Sequence, residues 1–185
     1  LAVDFDEAEW KEDAQAFLQS CHELGVPVAL EVSRSGNGAH VWVFFAGSVP
    51  ARDARRLGTA IISHTCARTR QLKLSSYDRL FPNQDTMPKG GFGNLIALPL
   101  QKKPREQGFS EFVDEQFVPF ADQWGYLASI RPMSMDDMGS TILLATGNAH
   151  PLDVAFIAEE DQKEPWKQSP LVSKKLPGKM PKSLK

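Results

Sequence analysis

The sequence has little cysteine, no apolar run of membrane-spanning length and almost no net charge, and each shortage closes off a class of protein. Only Cys21 and Cys66 occur in 185 residues, far apart and without Cys-x-x-Cys spacing. A reducing, cytoplasmic setting therefore fits better than a disulfide framework. Both read as core thiols; a zinc site would need them to meet His22 and His64, and neighbouring pairs of this kind are weak evidence. No stretch is long enough to span a bilayer, and no basic segment followed by an apolar run opens the chain, so neither a membrane contact nor a signal peptide is expected. The first residue is Leu1, in what reads as mid-strand, rather than Met, which fits a domain excised from something longer. A net charge of −2 leaves any nucleic-acid contact to a local patch rather than a global field. There are no internal repeats. What is present is a 42% hydrophobic composition, enough for one substantial core or one core built from two lobes.

The stretch Leu1 to Asp6 is apolar except for Asp4 and Asp6, whose spacing of two is the period at which a strand returns to the same face. Their stems lie roughly 6 to 7 Å apart on such a strand, close enough to converge on a pair of divalent cations. Asp6 has a second reading: Asp6-Glu7-Ala8-Glu9 has capping-box spacing ahead of an amphipathic helix. That accounts for Asp6 but not for Asp4.

Helical periodicity predicts a helix over Ala8 to Leu24, stopped by Gly25, and a second from Pro50 to about Ala67. Val28 to Val32 and Ala39 to Ala46 read as strands joined through Ser33 to Gly38, where Asn37-Gly38 is a hairpin signal. Asn94 to Leu100 reads as an apolar strand after a loop in which Gly90, Gly91 and Gly93 permit close approach. Short strands and a third helix around Ala121 to Ile130 follow. Residues 1–158 are expected to form one domain, and 159–185, rich in Lys and Pro, a mostly unstructured linker.

Three further features carry chemistry. The turn Ser35-Gly36-Asn37-Gly38-Ala39-His40 can cradle phosphate with backbone N–H groups and the Ser35 hydroxyl, with His40 as a donor; it is equally an ordinary hairpin with a surface His. Asp78 is a candidate third carboxylate or a turn former, with Asp85 as its substitute. Arg52, Arg55, Arg56, Arg68, Arg70, Lys73 and Arg79 fall in one stretch whose only acids are Asp53 and Asp78, which is either a nucleic-acid patch or a solvated helix face.

The order of these features, VDFD at Val3 to Asp6, SRSGNGAHVWVFF at Ser33 to Phe45, and YDRLFPNQDTMPKGGFGNLIALPLQ at Tyr77 to Gln101, resembles the archaeo-eukaryotic primase superfamily and, within it, the primase-polymerase domain of TOTE conflict systems. The resemblance continues through Asp122 to Leu127 and Pro151 to Phe156. It implies an α+β catalytic core, an N-terminal α/β unit plus an RRM-like sheet with the active site in the cleft between them. Asp4, Asp6 and Asp78 become ligands of two Mg²⁺ or Mn²⁺ ions, and Ser35, Asn37 and His40 contact the triphosphate of an incoming nucleotide. Many relatives carry Lys or Arg two or three residues before the motif His; here Gly38 and Asn37 stand there, so Arg34 or Lys89 is expected to supply the cation. The implied activity is primer synthesis or extension on a DNA template, with Arg52, Arg55, Arg56 and Arg79 on the nucleic acid, in a prokaryotic cytoplasm and beside helicase and nuclease modules. Two other readings remain. One is a non-catalytic module stacking single-stranded nucleic acid on Trp42 and Phe44; the other is a metal-dependent nuclease.

Overall fold

The computed structural model describes residues 1–6, 8–71, 73–86 and 94–147. Lys89, the glycines Gly90, Gly91 and Gly93, Pro151 to Phe156, the boundary at 158 and the linker 159–185 lie outside them. Among the described residues the chain is a mixed α+β fold. It runs β1 (Ala2–Asp6), α1 (Trp10–Glu23), β2 (Ala29–Val32), β3 (Gly38–Trp42), α2 (Ala51–Thr69), β4 (Tyr77–Phe81), α3 (Lys102–Arg105), β5 (Phe112–Val113), α4 (Gln123–Ser129) and α5 (Met135–Ala145). The strands make one antiparallel sheet in the order β4-β1-β3-β2-β5. No helix among them is long and apolar enough to cross a membrane.

Alternation along each strand gives the sheet two unlike faces. Val3, Phe5, Leu30, Ala39, Val41 and Leu80 point into the main core, where they meet Phe17 and Cys21 of α1 and Leu57 and Ile61 of α2. Phe5 and Phe17 meet there at 5.7 Å between ring centroids. Cys21 is buried as expected, and burial pushes its thiol up; Cys66 is only half-buried. The opposite face is apolar at one end, where Ala2, Ala29, Trp42 and Phe112 pack with Leu100 and partly with Ile96, Phe120 and Tyr126. At its other end it carries the acids.

Three expectations need correction. Helix α1 starts at Trp10 with Glu9 as its cap residue, so Asp6 is a strand residue and no cap. Its end is as read: Gly25 adopts φ 69°, with Gly25 N–H donating to His22 O and Val26 N–H to Cys21 O, a Schellman closure. Asn94 to Leu100 is no strand; the position beside β1 is taken by Tyr77–Phe81, and Leu95 and Leu98 are exposed. The hairpin's second strand, read as far as Ala46, ends at Trp42, although the hairpin itself runs through the expected residues. Ser33 and Gly38 close it, Gly36 takes the positive φ of 76°, and Gly38 already belongs to β3.

Candidate active site

Strand parity puts Asp4 and Asp6 on the sheet's second face. Asp78 reaches them by a different device. In the β1–β4 ladder Asp4 faces Arg79 and Phe5 faces Tyr77, so Asp78 is the extra residue of a bulge. A bulge re-aims the side chain it carries. One oxygen each from Asp4, Asp6 and Asp78 then lies within 4.8 Å of the others, a grouping of three potential metal ligands that includes no Cys or His, so the zinc alternative finds no support among the described residues. Asp85 is not needed as a substitute; it pairs with Arg55 at 2.7 Å.

Strand register lines up a row of alternating charge beside this cluster. Arg79 faces Asp4, Asp4 faces His40, and His40 faces Glu31, in the strand order β4-β1-β3-β2. Arg79 donates to both Asp78 oxygens, at 2.7 and 3.2 Å. His40 Nε2 stands 3.4 Å from Asp4 Oδ1, while its Nδ1 is 3.1 Å from Glu31 Oε2. Glu31 is 1% exposed and also accepts from Trp42 Nε1 and Ser110 Oγ. Glu31 is the site residue the sequence reading missed; its only signal there was a lone acid inside the apolar run Val28 to Val32.

The electrostatics follow from burial. Asp4 has a side chain only 13% exposed. Burial pushes its carboxyl up to about 6, with His40 opposing and the negative charges of Asp6 and Asp78 adding to the rise. For His40, burial works to lower the pKa but is outweighed by the Glu31 hydrogen bond and charge and by Asp4 and Asp6, so the net shift is upward. Asp4 Oδ1 is buried yet accepts no hydrogen bond from the described residues. Three converging carboxylates, one of them with a buried oxygen that no hydrogen bond satisfies, fit a divalent cation, and a set of hard oxygen donors suits Mg²⁺ or Mn²⁺.

The other predicted residues are spread around this centre. Arg34, Ser35 and Asn37 are exposed on the turn leading into β3, where the Ser35 hydroxyl pairs with Ser33 Oγ and accepts from Asn37 N–H. On α2, Arg52 and Arg56 pair with Asp53, at 3.5 and 3.3 Å. Arg68 turns inward instead, donating to Ala16 O and Ser20 Oγ of α1. Trp42 is no stacking platform: it is 8% exposed, its indole N–H is given to Glu31, and its ring stacks on Phe44.

A family model described as the archaeo-eukaryotic primase domain of TOTE conflict systems matches residues 1–141. No curated protein matches the chain.

Proposed function

The chain belongs to the archaeo-eukaryotic primase domain family of TOTE conflict systems, a family of primase-type nucleotidyltransferases, and from that premise we propose that it adds nucleotides to the 3′-hydroxyl of a primer on a DNA template. The observation that carries this reading is the convergence of Asp4, Asp6 and Asp78, with one buried Asp4 oxygen lacking any hydrogen bond from the described residues. Two Mg²⁺ or Mn²⁺ ions bound there would supply an acidified primer hydroxyl and neutralise the charge of the departing pyrophosphate. The three carboxylates would hold the ions. His40 presents Nε2 toward the same space, and Ser35, Asn37 and Arg34 offer hydroxyl, amide and guanidinium donors to a triphosphate, with Lys89 as a further cation. No protein nucleophile is required.

The finer architecture belongs to the same proposal. The resemblance would make the five-stranded sheet, which already takes in the N-terminal strands, the RRM-like unit, with its acidic end lining the active-site cleft. Residues 1–158 are the catalytic domain, and the Lys- and Pro-rich 159–185 lead to helicase and nuclease modules in a prokaryotic cytoplasmic protein. Incubation with Mn²⁺, deoxynucleoside triphosphates and an end-labelled primer on a template tests the activity. Lengthened primer and released pyrophosphate are expected; a shortened primer identifies a nuclease, and tight binding of single strands with no change in length identifies a binding module.

Template contact is proposed for Arg52, Arg55, Arg56 and Arg79. Arg52 and Arg56 share the single carboxylate of Asp53, so positive charge remains for phosphate. Arg52→Gln/Arg56→Gln is expected to weaken single-stranded DNA binding for every sequence and to flatten its salt dependence by roughly 0.7 per lost phosphate contact. Parallel slopes in a salt titration of the two proteins would make these arginines a solvated face.

A further inference from the structure

We propose that Glu31 is a positioning residue of the site: it grips the His40 imidazole by Nδ1 so that Nε2 is presented beside Asp4. The functional consequence rests on the nucleotide-binding reading above; the geometry does not. A carboxylate that is 1% exposed in mid-sheet, beside Ala29 and Phe112, carries a large desolvation cost, and an apolar residue would pack there without it. Its hydrogen bonds are therefore the reason to look for a role. Oε1 accepts from Ser110 Oγ at 3.2 Å, and Oε2 accepts from Trp42 Nε1 at 2.7 Å. These two bonds come from outside the acidic cluster and fix where the carboxylate lies.

With the carboxylate fixed, the third contact orients the ring. Oε2 lies 3.1 Å from His40 Nδ1, which leaves Nε2 as the only free nitrogen, 3.4 Å from Asp4 Oδ1. The Trp42 ring stands edge-on to the imidazole at 5.9 Å and walls one side of it. Turning the imidazole over would forfeit the Glu31 bond and point carbon at the cluster. A carboxylate that orients a histidine from behind is a recurring way to fix its tautomer and direction in ion-binding sites.

Four variants test this: Glu31→Gln, Glu31→Leu, His40→Ala and Glu31→Leu/His40→Ala. In metal-free protein, long-range ¹H–¹⁵N spectra are expected to contain a slowly exchanging His40 Nδ1 proton, shifted in Glu31→Gln and lost in Glu31→Leu. In calorimetry with Mg²⁺ and a non-hydrolysable deoxynucleoside triphosphate, Glu31→Leu is expected to bind about tenfold more weakly and Glu31→Gln within about threefold of wild type. The double variant should bind no more weakly than His40→Ala, because the two residues act as one. Losses that add, or an Nδ1 proton that survives in Glu31→Leu, overturn the proposal and leave Glu31 as an anchor for Trp42 and Ser110. Should Glu31→Leu not fold, Glu31→Gln decides: an Nδ1 resonance unmoved by removal of the charge overturns it. If wild type binds no nucleotide, the proposed function fails while the spectra still decide whether Glu31 holds His40.

Discussion

Asp4→Asn is expected to lower nucleotide incorporation by about a thousandfold or more and, in the absence of metal, to make the protein more stable. The first effect follows from metal-assisted phosphoryl transfer, in which the ions are worth several kcal/mol and each ~1.4 kcal/mol is tenfold. The second follows from the Asp4 carboxyl, which burial pushes from 3.8 up to about 6. Between about pH 4 and 6 the folded state holds a proton that the unfolded chain has released, so stability falls as pH rises through that window. His40 adds a slope of the same sign at higher pH, because its raised pKa gives stability that is lost as pH rises through the folded value. In Asp4→Asn the fall between pH 4 and 6 disappears, and above pH 6 the variant gains ~1–2 kcal/mol after allowance for solvent screening. Saturating Mn²⁺ should reverse the order, since it binds folded wild type and not the variant. Urea denaturation from pH 4 to 8, with and without Mn²⁺, checks this beside primer extension. A variant less stable than wild type at pH 7 without metal would mean that the Asp4–His40 pair outweighs the cost of burying the Asp4 charge.

The same conflict separates what could be read in the sequence from what could not. Asp4 and Asp6 were legible because strand parity is a local rule: two residues apart means one face, whatever the strand pairs with. Asp78 was legible only through motif order, because its approach depends on a bulge, and an irregularity in pairing leaves no trace in periodicity. Glu31 left only the trace of a lone acid in an apolar run, and nothing in the sequence tied it to His40. It meets His40 because β2 and β3 pair in one particular register, and register is a property of two strands together. Asn94 to Leu100 misled for a related reason. Apolar residues suit a strand and also suit an irregular segment laid over a sheet, and here Ile96 and Leu100 face the second core while Leu95 and Leu98 stay exposed. Trp42 looked like a stacking platform because an aromatic on an alternating strand has two possible faces of contact; burial and the bond to Glu31 settle it as core.

Gly38→Ala is expected to destabilise the protein by ~2–4 kcal/mol and to abolish metal binding, although the sequence offers Gly38 only as half of a turn dipeptide. Gly38 lies in β3 directly opposite Asp6 of β1, so a Cβ there points to the same face as the Asp6 carboxylate. That Cβ would collide with Asp6 Oδ1 and come 2.5 Å from the Phe5 carbonyl oxygen. The carboxylate could swing aside, but the Phe5 oxygen belongs to the backbone of β1 and moves only if the β1–β3 pairing opens. Either response removes Asp6 from the cluster of three oxygens that lie within 4.8 Å of one another. For a chain of this size the stability loss should lower Tm by roughly 5 to 15 °C. Gly139→Ala is the matched control, because it lies in α5 with nothing within 4 Å of an added Cβ, and it should leave Tm unchanged or slightly raised. Calorimetric Mn²⁺ titrations of both variants complete the comparison. A Gly38→Ala protein that melts with wild type and binds Mn²⁺ with unchanged affinity would mean that Asp6 is not held against β3, and the metal centre would then have to be built from Asp4 and Asp78 alone.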